Sequence, residues 1–501
     1  MDIEHKPKPT ILIVTPEITY LPKGMGNFSQ KLGAKAGGLA DVSATLVQHL
    51  HDLGADVHVA LPNYREIFHT DVKNQFENTY KTLSKSLDKK RIHLAEDSIF
   101  YHRDNVYSAA ENHRISLAFQ REVINNIIPA VQPDLVHCND WMTGIIPGAA
   151  KILGIKSLFT VHNIHSEKML MAELQDRGID VLEFWQNLYF EQPPHDLEWS
   201  RHHNPVNFLA SGIFASNHVN TVSYKFLEEV VYGHHNFVPD AIKNELASKF
   251  HTGNASGIIN APDPLFDPTN DIHLHEHYDA KTHPAGKAAN KKKLQQQLGL
   301  TVDENAPVFL WPSRLDPMQK GCQLLADILY KITSNYYDEN LQVAVIAGGE
   351  FKPHFENIVN IHNLHHRVAV IDFNEAASHL GYAASDFIIM PSKFEPCGLP
   401  QMICQKYGSI PLVHDTGGLH DTVENLNYEK TQGNGFSFKD YNSEGLEWAV
   451  NEAMHFHKLK PAHKAKAISR IMTQANERFN HINTAKEYIK CYEQILDRPI
   501  T

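Results

Sequence analysis

The segment Lys35-Ala36-Gly37-Gly38-Leu39-Ala40-Asp41-Val42 lies near the start of the chain. Phe394-Glu395-Pro396-Cys397-Gly398-Leu399-Pro400-Gln401, followed by Thr416-Gly417-Gly418-Leu419, lies far downstream. A glycine pair ahead of an amphipathic helix lets backbone N–H groups approach a phosphate and adds the positive end of the helix dipole. One such turn in each half of the chain predicts a nucleotide-linked substrate held between two domains, with Lys35 adding charge from the first. Arg314 and Lys320 are separated by a turn containing Pro317 and followed by Gly321. Two cations there could neutralise a diphosphate as charge grows on a leaving group; the plain alternative is a surface pair flanking a helix start. Glu395 could accept hydrogen bonds from sugar hydroxyls and support an oxocarbenium-like charge, or could serve only as a helix N-terminal acid. His162, with Asn163, could face a sugar or shape a turn. Asp140 is a hydroxyl ligand or a helix cap.

The elements that must position these residues are short, β-branched apolar runs, each followed by a loop and a helical pattern. Ile11–Val14, Val57–Leu61, Leu135–His137, Ser157–Val161 and Val219–Val222 are apolar on successive positions, as strands covered on both faces must be. The pattern restarts with Val308–Trp311, Val343–Ala347, Val368–Ile371, Phe387–Met390 and Ile410–Val413, predicting a second doubly wound sheet. Asp140, His162, Ser313-Arg314 and Glu395 all follow strands, at the end where ligands bind in this architecture. The polar stretch 261–290, with Pro262, Pro264, Pro268 and Pro284, predicts an inter-domain connection. Lys291-Lys292-Lys293 reads as the solvated face of a helix, and Cys397 and Cys404 as packing residues on one helix.

With 501 residues the chain exceeds one ordinary core, so two domains are expected. A net charge of −12 argues against a general nucleic-acid or membrane-surface binder, so phosphate binding must be local. The first residues lack the apolar core of a signal peptide, and no apolar run is long enough to span a bilayer, so the expected location is the cytoplasm. Five scattered cysteines predict reduced thiols rather than a disulfide framework. The sequence offers no account of its 33 histidines. Three alternate at 273, 275 and 277; in a proline-rich connector without further Cys or carboxylate ligands they read as exposed linker, and no metal site is expected.

Taken together these segments resemble the bacterial glycogen synthase and plant starch synthase family over about the whole chain. The most specific are Lys35–Val42, Asp140-Trp141, Thr160–Asn163, Gly257–Asn260 with Asp263, Ser313-Arg314-Leu315 with Gln319-Lys320-Gly321, Glu395–Gln401, and Thr416–Leu419. The resemblance implies an α/β fold of two Rossmann-like doubly wound domains (GT-B) with an inter-domain cleft. Residues 1–265 form the acceptor-side domain, 266–475 the sugar-nucleotide domain, and 476–501 a C-terminal helix packing back on the first. It implies a retaining glucosyltransferase moving glucose from ADP-glucose, or UDP-glucose, to the non-reducing end of an α-1,4-glucan, without a cofactor or metal. The roles carried over are Glu395, Arg314, Lys320 and His162 in catalysis. Lys35, Gly37, Gly38, Asn260, Cys397, Gly398, Leu399, Thr416, Gly417 and Gly418 bind the donor, and Asp41, Asp140 and Asn163 lie on the acceptor side. Rival readings are a transferase of this fold with a protein or small-glycan acceptor, and a non-catalytic glucan-binding protein. The chain departs from the pattern in a segment at 19–33, expected to be a lid or acceptor-selecting loop, with a tolerated surface insertion as the alternative, in Ala210 where lysine is usual, and in His165-Ser166-Glu167 after Asn163.

Overall fold

The computed structural model describes residues 8–25, 32–65, 67–68, 91–103, 105–107, 111–427 and 432–501. It divides into two compact units, Met1–Ile259 with His481–Thr501, and Asn260–Asn480. The sequence placed these divisions at 265/266 and 475/476. Among the described residues no helix is long and apolar enough to cross a membrane.

Unit 1 is built on a seven-stranded parallel sheet in the order β3-β2-β1-β4-β5-β8-β9. Its strands are β1 (Thr10–Val14), β2 (Asp56–Pro62), β3 (Ile92–Ala95), β4 (Leu135–Asn139), β5 (Lys156–Val161), β8 (His218–Thr221) and β9 (Ala255–Gly257). A small antiparallel pair, β6 (Lys168–Met169) and β7 (Val206–Asn207), stands beside it. Strands β1 and β4 are adjacent, with Ile11 opposite Leu135 and Val14 opposite Cys138. Their near-continuous burial is what a sheet covered on both faces by helices requires. The helix His481–Leu496 packs against the helix Gly38–Asp52 and β5. It is pinned by buried polar contacts: His137 places its ring nitrogens 2.7 Å from the Tyr492 hydroxyl and 2.8 Å from Thr160 Oγ1, and Asn220 donates to Tyr488 Oη at 3.0 Å. Burial pushes His137 down to about 3, so the bridging ring is neutral.

Unit 2 repeats the plan with six parallel strands in the order β12-β11-β10-β13-β14-β15. They are β10 (Val308–Trp311), β11 (Gln342–Ile346), β12 (Val368–Ile371), β13 (Phe387–Met390), β14 (Ile410–His414) and β15 (Phe436–Phe438). Two expectations are corrected here. The stretch 261–290 is not a free connection: it belongs to unit 2, and Asp271, Tyr278, Lys287 and Asn290 are buried within it. Nor does the basic run present only a solvated face. The helix His283–Leu298 buries Lys291, which pairs with Asp386 at 2.7 Å, and Lys287, whose ammonium donates to Ala383 O, Tyr407 O and Ser409 Oγ. The lysine stems reach across apolar surface and their heads meet acceptors, which a composition-based reading of charge cannot foresee. Cys397 and Cys404 are both buried, but only Cys404 lies on the helix Pro400–Lys406.

Removing the Tyr492 hydroxyl leaves a buried His137 nitrogen without its partner, at a cost of about 1–2 kcal/mol. Tyr492→Phe should therefore speed exchange of the most protected amides in His481–Leu496 by about 5–30-fold, and hydrogen-exchange mass spectrometry would read it. Unchanged protection would mean that packing alone holds this helix.

Candidate active site

Each sheet is wound outwards from its middle, so each has one place where successive crossovers leave on opposite faces. In unit 1 that place is between β1 and β4, and in unit 2 between β10 and β13. In sheets of this kind ligands bind outside the strands' carboxyl ends at that place.

In unit 1 the chain leaves β1 and reaches Glu17, which is buried. Its Oε2 accepts the N–H groups of Ala36 at 2.7 Å and Gly37 at 2.8 Å, and Tyr107 donates to Oε1 at 3.2 Å. Burial raises the Glu17 carboxyl, and the two N–H groups partly offset this. The Gly37 N–H is thus directed to a carboxylate of the protein, whereas the sequence reading gave it to a phosphate. Gly38, exposed, begins the helix Gly38–Asp52. Lys35 is half exposed and pairs with Asp41 at 2.8 Å, while Thr19 donates to the other Asp41 oxygen at 2.5 Å. Residues 26–31 of the departing segment lie outside the described residues. Its flanks do not hang free, because Ile18 and Ala34 exchange backbone hydrogen bonds and Leu21 and Met25 are buried.

Asp140, directly after β4, has φ +56° and ψ 179°, backbone that only glycine adopts readily. Its Oδ1 accepts the His162 N–H at 2.7 Å, and its Oδ2 accepts from Asn163 Nδ2 at 3.2 Å. The carboxylate therefore ties the end of β4 to the end of β5 instead of capping the short helix after it. Burial pushes Asp140 up to about 7. His162 is pushed down to about 4 by burial and is neutral. Its Nε2 donates to Asn139 Oδ1 at 2.9 Å, which leaves Nδ1 with a lone pair. Asn163 also accepts the His165 N–H, so it both shapes the turn and holds Asp140. Ala210 is fully buried in the helix Phe208–Ala215.

In unit 2 Lys320 Nζ lies 2.6 Å from Glu395 Oε2, which also accepts from Ser392 Oγ at 3.0 Å. Both charged side chains are nearly buried, yet Oε1 remains for another donor. Arg314 is exposed and has no ion pair among the described residues. The turn that carries Lys320 ends at Gly321, with φ +70°, where a Cβ would stand 2.0 Å from Pro391 O. Gly321 thereby lets the turn lie directly on the chain leaving β13, where Lys393 donates its N–H to Gln319 O. Gly418 is similarly constrained: a Cβ would stand 1.9 Å from Cys397 O, and its N–H donates to Glu395 O at 2.9 Å. Gly418 thus fastens the Thr416–Gly418 turn to the Glu395–Leu399 loop, and its N–H is not left for phosphate as the sequence reading had it. Gly417 opens the helix Gly417–Thr422 with Thr416 before it. Cys397 is buried, Gly398 has φ +73°, and Leu399 is partly exposed. Asn260 donates its N–H towards Cys397 and keeps its side-chain oxygen buried without a partner among the described residues.

Four contributors escaped the sequence reading. Glu17 carried a signal, an acid placed just after a buried strand; Asn139, Tyr107 and Ser392 act through contacts that no local spacing announces. The Asp140 assignment has a testable pH signature. A carboxyl raised from 3.8 to about 7 contributes stability at low pH that is lost as pH rises through that window. The lowered His162 and His137 act oppositely, adding stability as pH rises from about 4 to about 6.5. Asp140→Asn removes the first effect only. Its Tm relative to the parent should improve by several degrees between pH 4.5 and 7.5, and a pH-independent offset would refute a protonated native Asp140.

Comparison with known proteins follows the same division. The starch synthase catalytic domain family matches residues 10–241, and the family of glycosyl transferases group 1 matches residues 290–470. The chain is 32% identical to a glycogen synthase of Exiguobacterium sibiricum over 92% of its own length and 96% of that protein's. It is 31% identical to a glycogen synthase of Bacillus subtilis over 92% and 95%. Among solved structures, the catalytic domain of starch synthase IV from Arabidopsis thaliana, bound to ADP and acarbose, superposes with a TM-score of 0.78 at 25% identity, covering 98% of this chain and 100% of that one. A sucrose-phosphate synthase from Thermosynechococcus elongatus, at 15% identity and a TM-score of 0.58, shares the fold. Two Rossmann-like units, each with polar groups gathered at its crossover point, and a full-length match to curated relatives agree: the chain belongs to the glycogen synthase and starch synthase family of glycosyltransferases.

Proposed function

We propose that this glucosyltransferase moves glucose from ADP-glucose, or less favourably UDP-glucose, to the 4-hydroxyl at the non-reducing end of an α-1,4-glucan, with retention. The observation that carries the proposal is the Lys320–Glu395 pair at the crossover of the unit 2 sheet, in a chain of this family. The ADP bound to the plant starch synthase domain supports the choice of nucleotide.

In the proposed reaction the bond from the anomeric carbon to the diphosphate oxygen breaks, and the bond to the acceptor's 4-oxygen forms on the same face. The acceptor's proton passes to the departing phosphate oxygen, so no enzymic nucleophile is needed. Arg314 and Lys320 neutralise the charge that grows on the diphosphate, with Lys35 adding to them, a stabilisation that is largest in the transition state. Glu395 directs its free oxygen to the glucose hydroxyls and supports the positive charge on the ring. Neutral His162 offers its Nδ1 lone pair and carbonyl to the sugar, where an imidazolium would oppose that charge. Asn260, with its unpartnered amide oxygen, and the Cys397–Leu399 and Thr416–Gly418 turns hold the donor. Asp41, Asp140 and Asn163 serve the acceptor side.

Labelled ADP-glucose and UDP-glucose, each with and without glycogen, test the proposal directly: label should enter polymer from ADP-glucose and only in the presence of glucan. Incorporation into protein or a small sugar instead would redirect the acceptor assignment. Lys320→Ala or Glu395→Ala should lower kcat by on the order of 10²–10³ with the fold retained; near-normal kcat in either would remove that residue from the chemistry. Transfer should persist in EDTA, since the Arg314 and Lys320 side chains would do the work of a divalent ion at the diphosphate, and a chelator-sensitive rate restored by Mg²⁺ or Mn²⁺ would contradict this.

A further inference from the structure

The histidines of the 273–277 alternation do not behave alike. His275 is exposed, and His277 donates from its ring to Asp271 O at 2.8 Å. His273 turns inward, its ring centroid 4.8 Å from that of His379. His379 lies one helical turn after Glu375 on the helix Glu375–Ala384, so the two share a face. One ligand atom from each of His273, Glu375 and His379 falls within 4.8 Å of the others.

The surroundings of this trio are built. Asp271 is buried; its Oδ1 accepts the His273 N–H at 3.0 Å, and its Oδ2 accepts from His379 Nδ1 at 2.7 Å and from the Tyr407 hydroxyl at 2.5 Å. Phe266 stacks on the His379 ring at 4.4 Å and 13°. The Asp271 carboxylate fixes the imidazole with its proton on Nδ1, which aims the Nε2 lone pair outwards. A carboxylate behind a histidine in this way raises its basicity and holds its orientation, the usual support for a metal-binding imidazole.

We infer that His273, Glu375 and His379 form a binding site for Zn²⁺ or a similar borderline transition ion, with Asp271 as the positioning carboxylate. Two imidazoles and one carboxylate suit such an ion and do not suit Mg²⁺. Tetrahedral ligands at about 2.0 Å from zinc stand roughly 3.3 Å apart. Closing from a spacing of up to 4.8 Å takes a movement of about 1.5 Å, within reach of exposed Glu375 and partly exposed His273. The fourth position is open to water. The ion would staple the stretch around Asp271–His277 to the helix Glu375–Ala384, and none of its three ligands is a residue assigned to glucosyl transfer.

The test uses untagged full-length protein stripped with EDTA and dialysed, titrated with Zn²⁺ against a chromophoric chelator, with Co²⁺ as a visible-absorbance probe. The parent should bind one tight equivalent and gain thermal stability from it. His273→Asn and Glu375→Gln, both at accessible positions, should keep the parent's circular dichroism. Each should lose on the order of 100-fold in affinity for that equivalent, along with the Co²⁺ spectrum and the thermal gain. Transfer activity should be unaffected in both. Zinc bound equally by the parent and both variants would assign it to other histidines and overturn the site, as would a parent that binds no tight equivalent.

Discussion

A parallel sheet wound in both directions from its middle cannot cover every strand end. Where one crossover departs to the front and the next to the back, the loops diverge, and the polar ends of two neighbouring strands are left uncovered. Both units meet this constraint, at β1/β4 and at β10/β13, and the chain answers it with carboxylates. Glu17 and Asp140 occupy the first site, Glu395 the second. Each gives partly buried backbone N–H groups, or a nearly buried lysine, a partner. Without them the Gly37–Gly38 turn, the β4–β5 strand ends and the Lys320 turn would have no common reference point.

That arrangement stores strain where chemistry is expected. Asp140 holds a backbone conformation that costs on the order of 1–3 kcal/mol for a residue with a side chain, and its side chain offsets this by bonding to the His162 N–H. Gly321 and Gly418 admit contacts between backbones that no Cβ would allow. They bring Lys320 and Glu395 together from segments seventy-five residues apart. The charged groups are therefore held by main chain on two sides, which limits their reorganisation during charge transfer.

The sheets were legible in the sequence for a physical reason: central strands buried on both faces must be continuously apolar. All ten strands read from sequence are present; the small pair β6/β7 was not foreseen, and of the strands in the two large sheets neither were β3, β9 and β15. These three are edge strands of three or four residues, too short for periodicity and, in β3 and β9, only partly buried. The glycine turns were legible as turns, but the Gly37 N–H is claimed by Glu17 and the Gly418 N–H by the Glu395 carbonyl. Sequence spacing identifies a donor without revealing which acceptor reaches it first. The 261–290 stretch was misread because its prolines and charges resemble a linker, while its buried groups, Asp271 and Lys287 above all, find their partners more than ninety residues away.

The chain crosses between units twice, at 259/260 and again at 480/481. During synthesis, unit 2 is a contiguous stretch and can complete its sheet as soon as Asn480 has emerged. Unit 1, although its strands are made first, must wait for Tyr492 to bond His137 Nδ1 and for Tyr488 to accept from the Asn220 amide nitrogen. The order of translation and the order of completion are thus reversed. A ribosome that stalls before the final helix releases a chain whose second half is finished and whose first half still exposes the groove that the helix fills.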